Sequence, residues 1–263
     1  MVQYNPLQYL PSAEELPDSD DTPVDNELQN LLPALLRAIL SWLWAERQNW
    51  FLGVNMGVYY EPNEPAIVPD GFLSLGVVRR KRERGRLSYV LWEENDIVPQ
   101  LVLEVVSKTY GQEYEDKQSK YARIGVLYYV VYNPDYWRRD KHEPFEVYRL
   151  VNGRYVRQLG EPAWMPEIGL GIGRFRGTYE GWTRELLYWY DQQGNRFPSP
   201  DEQLEQEQQR TEQERQRAEQ AQQKVEQSEQ RAEQAQQQLE QERRLTEELI
   251  ARLRERGIDL DAL

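Results

Sequence analysis

Residues 99–134, PQLVLEVVSKTYGQEYEDKQSKYARIGVLYYVVYNP, place a charged side chain inside an apolar strand, and the fold is read outward from that anomaly. Leu101–Val106 is a run of leucine and valine of the kind buried on both faces of a sheet, interrupted by Glu104. An unpaired carboxylate in such a place is costly, so it must neutralise, find a partner or bind a cation. Some thirty residues earlier, Ala66–Leu75 carries Asp70 at the start of a second strand, beside a proline suited to strand entry. If the two strands pair, Asp70 and Glu104 converge on one hard divalent cation. Mg²⁺ prefers one or two carboxylates, completed by water and substrate phosphate. A structural alternative is an ion pair between these carboxylates and Lys117 with no metal.

Gln112–Ile124 reads as a helix stopped by Gly125. On it Glu113, Lys117 and Tyr121 share one face at i,i+4 steps, with Lys120 one residue around. A lysine on this face would reach a scissile phosphate or the attacking water. Val126–Tyr132 follows as another buried strand, ended by Asn133-Pro134, and its tyrosines are expected in the core.

The Pro69-Asp70 pair, LVLEVVS, Lys117 four residues before the tyrosine of KYARIGV, and YYVVYNP resemble the Uma-two family of restriction-endonuclease-like proteins in the PD-(D/E)xK nuclease superfamily. The resemblance covers roughly residues 10–190. It implies an α/β fold, a restriction-endonuclease-like core with a mixed central sheet flanked by helices, that binds Mg²⁺, or Mn²⁺ in its place, and cuts DNA. It further implies catalytic roles for Asp70, Glu104 and Lys117. The implied metal set is Asp70, Glu104, the backbone carbonyl of Val105, and Glu27 on the first helix; Glu27 otherwise only favours that helix's N-terminus electrostatically. One departure matters. Where the superfamily carries a lysine two residues after the glutamate, this chain has Val106, so the lysine's role passes to Lys117, with Lys120 in reserve and Lys108 third. A catalytically inactive scaffold that keeps the fold is the rival reading.

Composition limits the alternatives. The 263 residues hold 45 acidic and 32 basic side chains, for a net charge of −13. Residues 201–263 account for 17 of the acids and 10 of the bases, so neither part is a basic nucleic-acid-binding module. DNA contact must come from local clusters, and Arg79–Arg86, RRKRERGR, is the densest; it reads equally as a phosphate-touching hairpin tip or as solvated surface. With no cysteine and one histidine, thiolate and histidine-rich metal sites are excluded, and His142 is expected to be a solvated loop residue. No apolar run or signal segment points to a membrane, and a cytoplasmic protein is expected.

The expected organisation is an extended arm over residues 1–24, a nuclease-like domain over 25–195, a linker over 196–203, a coiled-coil-like helix over 204–256 and a tail over 257–263. A helix opens at an N-cap Asp25 or Asn26 and carries Pro33 as a possible kink. Strands follow at 49–60 and 66–78, then SYVLW, then a 145–159 hairpin turning at Asn152-Gly153. GEPAWMPEIGLGIGRF is loop and strand, not a nucleotide fingerprint, and residues 178–192 are expected to form a closing helix. Beyond residue 201 a seven-residue repeat runs through Leu204, Thr211, Ala218, Val225, Ala232, Leu239, Thr246 and Leu253. Its thin seam permits weak pairing, and a homodimer through this helix is the expected assembly.

Overall fold

The computed structural model describes residues 10–17, 26–81, 85–108 and 113–255. Most of the expected arm, the N-cap candidate Asp25, Arg82–Arg84, Gln112 and the tail lie outside them. The elements run α1 (Leu28–Leu43), β1 (Trp50–Val54), β2 (Val58–Tyr59), β3 (Gly71–Leu75), β4 (Tyr89–Val90), β5 (Leu101–Val105), α2 (Asp116–Ile124), β6 (Tyr128–Tyr132), α3 (Trp137–Asp140), β7 (Phe145–Val151), β8 (Arg154–Gln158), β9 (Ala163–Met165), β10 (Leu170–Tyr179), β11 (Trp182–Tyr190) and α4 (Pro200–Glu255).

A six-stranded mixed sheet, ordered β1-β3-β5-β6-β7-β8, forms the centre. Within it only the β5–β6 pair is parallel, and α2 is its crossover. Strand alternation divides β5 between two cores. Leu101, Leu103 and Val105 join α1 and strands β9–β11 in one cluster, whereas Val102 and Val106 pack with Tyr121, Tyr129 and Tyr89 in the other. Glu104, in phase with Val102 and Val106, therefore points to the side that α2 covers.

α1 runs unbroken through Pro33, and its leucine stripe is buried on the sheet. The proline lies against β3, where a Cβ at Gly71 would come within 2.8 Å of the Pro33 ring. Glycine is needed there because α1 sits directly on the strand backbone, one residue after Asp70.

The hairpin at Asn152-Gly153 forms as read, with both residues at positive φ and β8 on the sheet edge. The 178–192 segment corrects its expectation: it is a β-hairpin, not a helix. Glu180 and Gly181 take positive φ in a two-residue turn, and β10 pairs with β11 from Tyr179–Trp182 to Gly171–Tyr190. Leu186–Tyr190 is buried throughout, so its apolar run hides the strand's period of two. The SYVLW segment contributes only Tyr89–Val90 as strand, parallel to β2. α4 begins at Pro200, inside the expected linker, where proline suits a first helical turn. It is one 56-residue helix on which Leu204, Val225, Leu239 and Leu249 are exposed.

Candidate active site

The β3–β5 ladder ends at Gly71 opposite Leu103, so the next step of the register sets Asp70 beside Glu104. At that point the backbone pairing gives way to a side chain. The Val105 N–H donates to Asp70 Oδ2 at 2.7 Å, and the Asp70 carbonyl accepts from the Asn55 N–H at 3.0 Å. Asp70 is thereby fixed at both ends, with its carboxyl group turned toward β5.

Glu104 is 1 % exposed, and both of its carboxylate oxygens are held. Lys117 Nζ donates to Oε2 at 2.8 Å and the Tyr121 hydroxyl donates to Oε1 at 2.6 Å. Both donors come from α2, one turn apart, and both stay in place because the helix stops cleanly at Gly125. There φ is +93°, and the Gly125 and Val126 N–H groups bond back to the last turn. Lys117 retains partial exposure, which makes its ammonium the side of the site open to solvent.

Glu113 is a third carboxylate in this neighbourhood, buried just before α2; the Tyr129 hydroxyl donates to its carbonyl at 2.7 Å. The two carboxylates brought together at the end of the ladder, Asp70 and Glu104, share the Lys117 ammonium, and Glu113 lies close enough to act on both Asp70 and Lys117. Burial, and then the Glu104 charge beside it, push Asp70 well above the usual carboxylate range, and the Val105 N–H and Lys117 only partly counter them. Burial works against the Lys117 ammonium, but Glu104 above all, with Asp70 and Glu113, holds its pKa above the ordinary value. Burial and the Glu104 charge likewise keep the Tyr121 hydroxyl protonated and donating.

The other candidates lie as follows. Val106 is buried with the apolar cluster on Glu104's side of β5, and the ammonium arrives instead from α2. Lys120 is exposed, and Lys108 is exposed with its carbonyl accepting from Arg139. Glu27 occupies the N-cap of α1, exposed and without a side-chain capping bond. The α1 residue that reaches the site is Gln29, whose Nε2 lies 3.4 Å from the Val105 carbonyl. Gln29 carries a faint sequence signal, since it stands three and seven residues before Leu32 and Leu36 on the buried stripe. The Tyr121 contact with Glu104 carries a stronger one, one helical turn beyond Lys117. Among the described residues no group of three or more His, Cys, Asp or Glu is gathered closely enough to hold a metal ion, so the candidate donors are two carboxylates and a carbonyl.

The basic segment Arg79–Arg86 has another use in its described part. Arg86 donates to both Glu94 oxygens, at 2.9 and 3.1 Å, and Lys81 reaches Glu94 at 3.0 Å. Arg79 stacks on Trp50 and Arg86 on Phe51. His142 also departs from the expected solvated loop residue: its ring stacks on Tyr114 with centroids 3.5 Å apart, and Nδ1 lies 3.1 Å from Glu146 Oε2. Among the described residues no helix is long and apolar enough to cross a membrane.

Three comparisons with known proteins bear on the family of the chain. A crystal structure described as "a putative nuclease belonging to DUF820", from Anabaena variabilis ATCC 29413, aligns at 12% identity over 59% of this chain and 87% of that one, with a TM-score of 0.39. No curated protein matches the chain. Residues 20–175 match the Uma2 family, described as "Putative restriction endonuclease", and this span, more than half of the sequence, makes the chain a member of that family.

Proposed function

We propose that the protein is a Mg²⁺-dependent DNA endonuclease, with Mn²⁺ able to substitute, that hydrolyses phosphodiester bonds at Asp70, Glu104 and Lys117. The observation that carries this reading is the surplus of buried negative charge at the end of β3 and β5. Burial, and then Glu104 next to it, hold Asp70 protonation-prone, a state that an arriving cation relieves. The donor set fits a hard divalent ion: Asp70, Glu104 and the Val105 carbonyl offer oxygen only, and each carboxylate keeps lone pairs beyond those its present partners use. When bound there, the ion supplies a bound water of lowered pKa and neutralises charge on the phosphate.

The remaining chemistry belongs to the chain's own residues. Lys117 stays protonated beside Glu104, so it serves as a hydrogen-bond donor and positive charge for the water or the phosphate oxygens, not as a proton acceptor. The Tyr121 hydroxyl and Lys117 fix the Glu104 carboxylate from both sides. Gln29 orients the Val105 carbonyl from α1. Glu27 would need to turn inward from its exposed N-cap position to add a ligand. The exposed apolar positions of α4 support pairing with a second copy, which would bring two such sites to one duplex. The proposed location is the cytoplasm.

Cleavage of supercoiled plasmid tests the reading. Wild-type protein with Mg²⁺ or Mn²⁺ is expected to nick or linearise it, and Asp70→Ala, Glu104→Ala and Lys117→Ala, each shown to be folded, to lose about 10²-fold or more of that rate. Intact plasmid under both metals would overturn the enzyme in favour of a scaffold that retains the fold.

A further inference from the structure

We infer that α3 and the turns on either side of it, Tyr136–His142, form a contact surface for the phosphate backbone of DNA at the mouth of the site; the inference rests on the nuclease reading above. Topology puts this segment at the right edge. β6 runs parallel to β5 with Val131 opposite Glu104 and Tyr132 opposite Val105, and α3 follows directly from the end of β6. In a parallel pair, the segments leaving the carboxyl ends of neighbouring strands emerge on the same edge. A direct bond confirms the proximity: Arg139 Nη1 donates to the carbonyl of Lys108, four residues beyond Glu104, at 2.8 Å.

The segment is anchored from beneath. Asn133, fully buried, accepts from the Tyr136 N–H at 2.9 Å and donates to Asp140 Oδ2 at 2.9 Å and to the Tyr114 hydroxyl at 3.2 Å. The His142 N–H closes the turn on the Trp137 carbonyl, and the His142 ring stacks on Tyr114. A four-residue helix has little stability of its own, so these bonds hold it against the site's own flank.

What the anchored segment presents outward is cationic and aromatic. Its acid, Asp140, is taken up by Asn133 and Arg139. Arg138 is exposed, its guanidinium 4.8 Å from the centre of the half-buried Trp137 ring, and Lys141 is exposed beside it. Lys108 adds a further exposed cation on the adjoining segment. An acidic protein whose site already holds surplus carboxylates repels DNA unless fixed cations stand beside that site. In the described part of the denser Arg79–Arg86 run, Lys81 and Arg86 are committed to Glu94, whereas Arg138 and Lys141 stand exposed on the flank of the site.

The test is binding of a fluorescein-labelled duplex by anisotropy, without divalent cation, across roughly 50–200 mM salt. Arg138→Ala with Lys141→Ala is expected to weaken binding about tenfold at the low end and to flatten the slope of log affinity against log salt by about 2, close to 1 for each phosphate left without its cation. Arg80→Ala, an exposed arginine of the other cluster, is expected to leave affinity and slope unchanged. An unchanged slope in the double variant, a slope lost in Arg80→Ala instead, or no binding by the wild-type protein would each overturn the assignment. Wild-type protein that binds with the predicted slope yet never cleaves plasmid would sink the nuclease reading and leave the surface standing.

Discussion

Glu94 and Glu104 are both almost wholly buried, 5 % and 1 % exposed, and the charge around them is arranged in opposite ways. Glu94 is met by two cations. Arg86 grips both oxygens and Lys81 adds a third bond, so that although burial acts to raise its pKa, Arg86 and then Lys81 prevail and lower it. Glu104 shares the Lys117 ammonium with Asp70, and burial, then the Glu104 charge, raise Asp70. A carboxylate saturated by cations is part of the scaffold, because nothing is gained by bringing another ion to it. A carboxylate group left short of positive charge can gain from an added cation, and that difference is what the proposed metal site rests on.

The contrast predicts opposite signs for nearly isosteric substitutions. Glu94→Gln removes the charge that Arg86, itself 3 % exposed, depends on, and is expected to destabilise the fold by about 3 kcal/mol. Asp70→Asn keeps an oxygen for the Val105 N–H while removing a buried carboxyl crowded by Glu104, and is expected to stabilise the metal-free protein by about 1 kcal/mol. Urea unfolding of the two variants beside wild type decides it. If Asp70→Asn destabilises as Glu94→Gln does, the two clusters are alike and the surplus-charge argument fails.

The same contrast explains what can be read from the sequence. Asp70, Glu104 and Lys117 are legible because a carboxylate inside an apolar strand is locally anomalous, and a helical face at i,i+4 points back at it. The central β5-α2-β6 unit is legible for the same reason, with the Gly125 stop and the Asn152-Gly153 turn as local punctuation. The fate of the Arg79–Arg86 run is not, because its partner Glu94 looks like any other acid until the chain folds back across 8 and 13 residues. Gln29 is obscured because a glutamine at the edge of a leucine stripe is unremarkable alone. β11 passes for a helix because its run Leu186–Tyr190, buried on both faces, loses its alternation.

A smaller effect is expected from Tyr121→Phe, which keeps the ring in its apolar cluster and removes only the hydroxyl bonded to Glu104. Without that bond one carboxylate oxygen loses its fixed donor. The cleavage rate is expected to fall about tenfold while stability changes by about 1 kcal/mol or less, in line with one charge-assisted hydrogen bond. Weaker Mn²⁺ binding by calorimetry should accompany the loss, since the misplaced group is a proposed ligand. A rate unchanged from wild type would show that Lys117 alone suffices to place Glu104.

The effects sharpest in sign lie in pH. Glu94 has a lowered folded-state pKa, so its contribution is present above the unfolded carboxylate value and is lost as pH falls through the folded one. Asp70 has a raised pKa, so its contribution is present below the unfolded value and is lost as pH rises through the folded one. The stabilising effect of Asp70→Asn should therefore grow from acid toward neutral pH and vanish in acid, where wild-type Asp70 is already protonated. Glu94→Gln should also approach wild type in acid, for the opposite reason: wild-type Glu94 then loses the charge that makes it valuable. Saturating Mg²⁺ separates the two once more. At a hundredfold excess over its dissociation constant it should stabilise wild type by about 2.7 kcal/mol at neutral pH, less in acid where the proton competes. Melting curves with and without Mg²⁺ should show that gain intact in Glu94→Gln and largely absent in Asp70→Asn; an equal gain in both variants would place the ion somewhere other than the end of β3 and β5.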